Sequence, residues 1–379
     1  MAKSKLKVAI VCDWLLGTGG AERVVYTLHQ MYPNAPIYTS QYDDNPKVWY
    51  GYNWFKDADI RTTKLQSLPK SLKKFLPVLR AIVFPRLDLS EYDLILSVSG
   101  AEAKSVHKRP GALHINYCHS PTHYYWFRFD EYLKHPGFPF GTNWLARIGL
   151  RILIKPLRIW DRHAAKNPDV MIANSTHIKE MIKKYYRRDS VVIHPPVDID
   201  RFKIKGTPPA RHGFVVAGRQ TPYKRIDIAV AACSNLKVPL VVIGIGPMHK
   251  KLEKMAGRSV TFLTAVSEED LPKHFQSALA LIFPTNTEDF GVTPIEAMAA
   301  GTPVIAYSKG GPRDYIIPNK TGLFFDRLSA SSLAKVIESF NPDRFNHDKI
   351  EQFSENFSID VFKKNMKALI EDSLRELTA

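Results

Sequence analysis

The stretch "LALIFPTNTEDFGVTPIEAMAAGTPVIAY" (279–307) decides the fold. Its first part, "LALIFPT", is an apolar run of strand length, which is typical of a strand buried on both faces of a sheet. A helix is predicted through "IEAMAA", ending at Gly301, and "PVIAY" is predicted to be the next strand. The stretch is therefore a strand–loop–helix–strand unit.

This unit carries two carboxylates on either side of a glycine turn, Glu288 before it and Glu296 after it. Thr293 suits an N-cap, Pro294 suits the first helical position, and Glu296 completes a capping box. One interpretation is that Glu296 only caps its helix and Glu288 is an ordinary loop carboxylate. The other is a ligand site. It is favoured because ligands of open α/β sheets bind at the carboxyl ends of strands, and helix N-termini attract phosphates.

The chain as a whole has the composition of a globular protein. It has 379 residues, of which 45% are hydrophobic and 24% charged, enough for two domains with full cores. The N-terminal "MAKSKLKVAIVCDWLL" predicts a first buried strand rather than a signal peptide, and no apolar run is long enough to span a bilayer. Three scattered cysteines indicate neither a disulfide framework nor a zinc site. We therefore expect a cytoplasmic protein.

The formal net charge of +16 predicts an anionic partner. Residues 61–87 carry seven Lys or Arg and no acid, and residues 143–160 place four basic residues at near-helical spacing among Trp, Leu and Ile. These four are Arg147, Arg151, Lys155 and Arg158. Such segments suit helices that lie on an anionic membrane. The alternative is that their apolar faces pack in the core and their basic faces are merely solvated.

Strand-like and helix-like stretches alternate along both halves of the chain. The Pro- and Gly-rich segment 194–213 between them is predicted to be a linker. We therefore expect an α/β protein with two doubly wound domains facing a cleft. The predicted domains are 1–195 and 196–357, followed by a C-terminal helix at 358–379 that is free to pack back on the first domain.

A second informative segment is "VVAGRQTPYKRID" (215–227). A strand is predicted to end at Gly218, so Arg219 and Lys224 occupy the loop before the next helix. Two cations at the carboxyl end of a strand are suited to clamp a diphosphate. The alternative is a surface loop with ordinary basic residues.

With these motifs in this order, the chain resembles the retaining glycosyltransferases of family 4 (GT4). The resemblance covers nearly the whole chain, and its most specific part is "EDFGVTPIEAMAAGTPVIA" (288–306). The other matching motifs are "GTGGAERVV" (17–25), "YCHSP" (117–121), "IANS" (172–175), "HPPVD" (194–198), "GRQTPYKRID" (218–227) and "IGIGP" (243–247). The resemblance implies the GT-B fold, which is two Rossmann-like domains facing a cleft. Within the family, the chain is most similar to bacterial mannosyltransferases of surface-polysaccharide assembly.

The resemblance also implies roles for matched positions. Arg219 and Lys224 would hold the diphosphate of the donor, Glu296 the ribose, and Glu288 the transferred sugar. The amides of Phe290, Gly291, Val292 and Thr293 would contact sugar and phosphate. His119 would face the reactive side of the sugar, Gly19 and Gly20 would approach the phosphates or the acceptor, and Val266 would lie near the base.

The function implied is a retaining, metal-independent transfer of a hexose to a lipid-linked saccharide or glycolipid. Mannose from GDP-mannose is the first expectation, no cofactor is required, and the protein is expected at the inner face of the cell membrane. The alternatives are a GT-B epimerase or phosphorylase and a basic, non-catalytic nucleic-acid binder. Neither Asp198 nor Asp200, in the linker, is expected to bind metal. A dinucleotide oxidoreductase is disfavoured, because "GTGGAE" and "IGIGPM" both lack the Gly-x-Gly-x-x-Gly pattern.

Overall fold

The computed structural model describes residues 6–49, 52–69, 75–134, 143–207 and 209–378. The chain divides into two compact units. Unit 1 comprises Met1–His194 and Lys363–Ala379, and unit 2 comprises Pro195–Phe362.

Unit 1 is built on a parallel sheet with the strand order β3-β2-β1-β4-β5-β6-β7. The strands are β1 (Val8–Cys12), β2 (Ile37–Thr39), β3 (Ile60–Thr62), β4 (Leu94–Val98), β5 (Leu113–Cys118), β6 (Val170–Ala173) and β7 (Val191–Val192). The order reverses between β1 and β4, which is the topological switch point of a doubly wound sheet. The sequence motifs did not predict the short edge strand β3.

Helices connect these strands. They are α1 (Gly20–Met31), α2 (Leu76–Val83), α3 (Phe129–Lys134), α4 (Asn143–Ala164), α5 (Thr176–Tyr186) and, from Lys363 onward, the C-terminal helix α12 (Ile359–Thr378). The side chain of Ser175 caps α5 by accepting from the Ile178 amide, and Arg187 ends it in the left-handed conformation. No helix among the described residues is long and apolar enough to cross a membrane.

Unit 2 repeats the architecture with the strand order β10-β9-β8-β11-β12-β13. Its strands are β8 (Phe214–Ala217), β9 (Leu240–Ile243), β10 (Val260–Leu263), β11 (Ala280–Phe283), β12 (Val304–Tyr307) and β13 (Gly322–Phe325). Its helices are α6 (Ile226–Leu236), α7 (His249–Met255), α8 (Leu271–Gln276), α9 (Val292–Ala299), α10 (Ala330–Glu338) and α11 (His347–Ser354). Here the switch point lies between β8 and β11.

The strands of unit 2 are buried on both faces. Along β11, Leu281 packs into one apolar cluster, whereas Ala280 and Ile282 pack into another. Since successive strand side chains point to opposite faces, the two clusters are the two covered faces of one sheet. The predicted pair of Rossmann-like α/β domains is confirmed.

The predicted linker 194–213 is wrong for most of its length. Val197, Ile199 and Phe202 are buried in the core of unit 2, and the Val197 amide donates to the Phe357 carbonyl. Further on, the guanidinium of Arg211 donates to the carbonyls of Ala278 and Ala300, at 3.0 and 2.8 Å, among other acceptors. Proline and glycine content predicted a linker, but three well-spaced apolar side chains fix this segment to unit 2.

Candidate active site

The candidate site lies at the carboxyl edge of the unit 2 sheet, at its switch point. Two loops meet there, 218–225 after β8 and 284–291 after β11. The Asn286 amide donates to the Tyr223 carbonyl at 2.9 Å, which joins the loops through their backbones. Ligands of open α/β sheets bind at such a point.

An ion pair between Lys224 and Glu288 stands at this junction. Nζ lies 2.7 Å from Oε2, and each side chain is 20% exposed. Burial alone would lower the pKa of Lys224, but attraction to Glu288 more than offsets it, so this pKa is raised and the ammonium stays charged. The Lys224 ammonium also lies 5.4 Å from the centre of the Phe283 ring. The structure thus brings together a cation and an acid that are 64 residues apart.

A second segment holds the backbone around Glu288. Gly310 pairs with Glu288 in an isolated parallel bridge, and a Cβ at Gly310 would collide with the Glu288 carbonyl oxygen. The hydroxyl of Tyr315, which is fully buried, donates to the Phe290 carbonyl at 2.8 Å. Both residues belong to the motif "GGPRDY" (310–315), whose glycines and tyrosine had no predicted role. They buttress the turn that carries the predicted site.

The turn itself needs glycine. Gly291 has φ of 95°, and a Cβ there would meet the Tyr315 hydroxyl at 2.7 Å. It is also the N-cap of α9, which begins at Val292 and has no side-chain cap. The amides of a first helical turn lack intrahelical acceptors. The predicted phosphate-binding amides, Phe290 to Thr293, therefore lie at this turn and helix start.

The predicted capping box is wrong. Because α9 begins at Val292, Thr293 and Pro294 lie inside its first turn rather than at the N-cap and first position. Glu296 is then in the second turn, beyond the position from which a carboxylate reaches back to the N-cap. Its side chain is only 8% exposed. The interpretation of Glu296 as a cap is removed, and its ribose-binding role stays a prediction.

Arg219 follows β8 with an exposed side chain that forms no ion pair within the described ranges. Its neighbour Gln220 is fully buried, donates from Nε2 to the Gly244 carbonyl at 2.7 Å, and lies with Oε1 2.9 Å from His249 Nδ1. The backbone next to Arg219 is therefore fixed while its guanidinium faces solvent. Such an arrangement suits the capture of an anion.

The remaining predicted site residue of unit 2 is Val266. It lies in the loop after β10 and is half-buried against the core. Asp200, one of the two linker aspartates, pairs with Lys203 at 2.8 Å.

Three predicted residues belong to unit 1. His119 follows β5, and burial lowers its pKa to about 4, so the imidazole is neutral at physiological pH. Its Nε2 is buried and has no hydrogen-bond partner among the described residues. Gly19 is the N-cap of α1, and Gly20 is its first residue, with the carboxylate of Glu22 folded back against Gly19. Burial raises the pKa of Glu22 from its ordinary 4.5 to about 7.

The aromatic residues that follow β5 are buried or half-buried in unit 1. Tyr124 and Tyr125 donate their hydroxyls to the buried Glu102, and the Trp126 indole donates to Asp161 on α4 at 2.7 Å. Lys104 and Asp161 form a fully buried ion pair at 2.6 Å beside them. These bonds dock α4 onto unit 1.

The two basic segments divide between core and surface. Arg147 and Arg158 of α4 donate to the carbonyls of Leu133 and Tyr125. Arg151 and Lys155 are exposed, together with a set of apolar side chains on the same helix. These are Trp144, Ile148, Ile152, Leu153 and Ile159, which are 45–68% exposed.

In the first segment, Arg80 of α2 is buried and Ile82 is 46% exposed. Lys70, Lys73 and Lys74 lie outside the described residues.

Two family models match successive parts of the chain. The model of glycosyltransferase family 4 matches residues 18–201, and the model of glycosyl transferases group 1 matches residues 197–358. The chain belongs to the GT4 glycosyltransferases. The second match contains the Lys224–Glu288 pair and the turn at Gly291, so the candidate site lies within the residues that the group 1 model matches.

Curated relatives match about half of this chain. A D-inositol 3-phosphate glycosyltransferase of Streptomyces avermitilis is 31% identical over 207 residues, 46% of this chain and 45% of that protein. One of Mycobacterium leprae is 32% identical over 41% of this chain and 42% of that protein. The chain thus spans less than half the length of these relatives. Their names do not single out mannosyltransferases, so that closer resemblance stays a prediction.

Solved structures share the whole GT-B architecture. The sucrose-phosphate synthase of Thermosynechococcus elongatus superposes with a TM-score of 0.72 at 17% identity, over 98% of this chain and 100% of that one. Anabaena HepE, solved in complex with UDP, gives a TM-score of 0.69 at 16% identity, over 97% and 100%. At such identities the likeness shows the fold.

Proposed function

We propose that this protein transfers a hexose from a nucleotide-sugar to a saccharide acceptor, with retention of anomeric configuration and without a metal ion. The observation that carries the proposal is the Lys224–Glu288 pair, held 2.7 Å apart at the switch point of unit 2 beside the uncapped start of α9. It combines a cation and the amides of a helix start for a diphosphate with an acid for a sugar.

Each group has a place along the donor in this proposal. Arg219 and Lys224 hold the diphosphate, and the amides from Phe290 to Thr293 share its charge. Glu288 binds hydroxyls of the transferred sugar, and Glu296 those of the ribose. Val266 contacts the nucleobase of the donor. His119 of unit 1, which is neutral, forms a hydrogen bond with the transferred sugar.

The chemistry follows from charge. As the bond between the anomeric carbon and the phosphate oxygen breaks, negative charge develops on the departing diphosphate. Fixed cations and a helix N-terminus stabilise that charge. The acceptor oxygen bonds to the anomeric carbon on the face that the phosphate leaves, and the acceptor proton passes to the phosphate oxygen. Configuration is retained and no enzyme nucleophile is consumed.

Mannose from GDP-mannose is the first donor that we propose. The resemblance to mannosyltransferases supports it, whereas the UDP complex of HepE makes UDP-sugars the first competitors to test. No cofactor is required in this proposal, because the charge of the leaving group is met by side chains and amides.

We further propose that the acceptor is lipid-linked and that α4 lies on an anionic membrane at the inner face of the cell membrane. At about 100° per residue, the exposed Trp144, Ile148, Ile152 and Ile159 fall within one face about 80° wide. Arg151 and Lys155 lie on or beside that face. An exposed apolar stripe edged by cations is the pattern of interfacial helices.

Flotation with anionic vesicles tests the membrane proposal. Ile152→Ser, at a residue 68% exposed on this face, should weaken vesicle binding about tenfold. Leu153→Ser is the matched control, since Leu153 is 45% exposed on the opposite side of the same helix and should not matter. Equal loss in both variants, or no flotation of the wild type at low salt, contradicts the proposal.

The transfer reaction is tested with a panel of nucleotide-sugars and glycolipid acceptors in excess EDTA. We expect one donor to release its nucleotide and to give an α-linked product from an α-linked donor, as shown by anomeric NMR signals. Lys224→Met should slow turnover by about 100-fold or more. Inversion would refute the retaining mechanism, and isomerised donor without product would indicate an epimerase.

A further inference from the structure

Trp14 stands at the switch point of the unit 1 sheet, two residues after β1. The residue before it, Asp13, is buried, and its carboxylate accepts from the Ser99 hydroxyl at 3.0 Å and from the amides of Ala101 and Ala103 at 3.1 and 2.8 Å. These bonds tie the ends of β1 and β4 together. The backbone of Trp14 is thereby fixed at the point of the sheet where ligands bind.

A buried ion pair supports the indole. The guanidinium of Arg80 lies 4.5 Å from the centre of the Trp14 ring. Arg80 donates from Nε to Glu102 at 2.8 Å, and the two side chains are 7% and 0% exposed. Glu102 also accepts from the hydroxyls of Tyr124 and Tyr125. The planar guanidinium lies over one face of the indole and is itself held by the buried carboxylate of Glu102. Trp14 is therefore a rigid platform.

Part of the Trp14 side chain is exposed to solvent. Apart from Arg80, no described ring or cation stacks on it, and its indole N–H donates to no described residue. Trp14 is partly exposed, and Leu16, two residues on, is 46% exposed beside the predicted Gly19 loop. An indole with a supported face and an unused donor is built to hold a ligand.

We propose that Trp14 is a binding platform for the acceptor saccharide. The C–H face of a sugar ring stacks on the indole, and the indole N–H donates to a hydroxyl of that sugar. Arg80 and Glu102 are positioning residues, which act only through Trp14. The inference rests on the proposed function and adds to it that the acceptor presents a sugar ring, rather than its lipid, to this edge of unit 1.

The chemistry favours a sugar over the other candidate ligands. A lipid chain would use the ring face but not the N–H donor. A nucleobase would stack equally well, but the cations and amides suited to its diphosphate lie in unit 2. A saccharide uses both the apolar face and the donor.

The direct test is the indole N–H spectrum of protein labelled with ¹⁵N-tryptophan. Trp14→Phe identifies the Trp14 signal, and Trp160→Phe is the matched control, because Trp160 lies in α4 and packs against the apolar core of unit 1. Methyl α-D-mannoside, methyl β-D-glucoside and methyl β-D-galactoside are added singly, before and after the nucleotide that binds. We expect at least one glycoside to shift the Trp14 signal while the Trp160 signal stays in place.

The outcomes separate this inference from the proposed function. If a nucleotide binds by calorimetry but no glycoside moves the Trp14 signal, the platform is refuted and the donor site stands. If nucleotide alone moves that signal and glycosides do not, Trp14 is refuted as an acceptor site. If neither nucleotide nor glycoside binds, both proposals fail together.

Kinetics supply a second readout once a donor turns over. Trp14→Leu should raise the acceptor KM about tenfold, with kcat and nucleotide affinity unchanged. Arg80→Lys keeps a charge for Glu102 but loses the planar stacking group, so it should raise the acceptor KM in the same direction. Trp160→Phe should leave both constants unchanged. An unaltered acceptor KM in folded Trp14→Leu overturns the proposal.

Discussion

Replacing Glu288 with glutamine is expected to tighten nucleotide binding while slowing sugar transfer. In the ligand-free protein, the Lys224 ammonium is held by the Glu288 carboxylate at 2.7 Å. A diphosphate must compete with this carboxylate for the ammonium. Glutamine has nearly the same shape and still accepts a hydrogen bond, but it carries no charge.

The distance and burial set the magnitude. At 2.7 Å and an effective dielectric constant of about 20, the Coulomb attraction is about 6 kcal/mol, which is a ceiling. Hydrogen bonds to charged groups contribute about 1.5–3 kcal/mol net, and a neutral partner keeps roughly half. We therefore expect a gain of about 1–2 kcal/mol for a bare nucleoside diphosphate, a fivefold to thirtyfold tightening.

Calorimetric titration with a nucleoside diphosphate that lacks a sugar measures this gain. Glu355→Gln is the matched control, because it also removes a carboxylate from a lysine pair of unit 2, that with Lys203. Transfer from the full nucleotide-sugar should fall about 100-fold in Glu288→Gln. Weaker nucleotide binding would refute the competition argument and make Glu288 a residue that positions Lys224. Unchanged transfer would refute the sugar-binding role.

Buried groups lead to three further predictions. Burial raises the pKa of Glu22 to about 7, so the folded carboxyl stays protonated where the unfolded one ionises. The contribution of Glu22 to the free energy of unfolding should therefore fall by about 1–3 kcal/mol as pH rises from 4.5 to 7, and in urea titrations the free energy of unfolding of Glu22→Gln should rise by that amount relative to the wild type. Burial lowers the pKa of His114 to about 3 and those of His119 and His123 to about 4, from 6.5. The stability that these three histidines of unit 1 confer is present above pH 6.5 and lost as pH falls towards 4. Hydrogen exchange should therefore show unit 1 opening before unit 2 on acidification. The reverse order would contradict this prediction. Tyr315→Phe removes the hydroxyl that donates to the Phe290 carbonyl. It should lower the free energy of unfolding by about 1–2 kcal/mol and weaken nucleotide binding several-fold. Unchanged nucleotide binding would show that the turn keeps its conformation without this hydrogen bond.

Local patterns of the sequence predicted most of the fold. Apolar runs such as "LALIFPT" and "PVIAY" became the buried strands β11 and β12, because strands covered on both faces are uniformly apolar. The linker prediction failed because it relied on the proline and glycine content of the segment. The apolar residues Val197, Ile199 and Phe202, which that content does not reveal, are buried in unit 2. The short strand β3 lies at the edge of the sheet, and its sequence contains no apolar run from which a strand could be predicted.

Long-range contacts account for what the sequence did not predict at the site. The segment "TPIE" (293–296) has the capping-box pattern, but Gly291 at φ of 95° starts α9 earlier, and Tyr315 fixes that turn from 25 residues away. The pairing of Lys224 with Glu288 depends on β8 and β11 being neighbours, which only the strand order reveals. The support of Trp14 by Arg80 and Glu102 likewise joins three separate loops and helices.

The most direct test of the donor site is calorimetric titration of wild type and Arg219→Ala with GDP, UDP, ADP and GDP-mannose in excess EDTA. Arg258→Ala is the control, since Arg258 is exposed before β10, at the amino edge of the same sheet. We predict that one nucleotide binds with micromolar affinity, that Arg219→Ala loses this binding and that Arg258→Ala keeps it. Failure of all four ligands to bind the folded protein would contradict the proposed donor site.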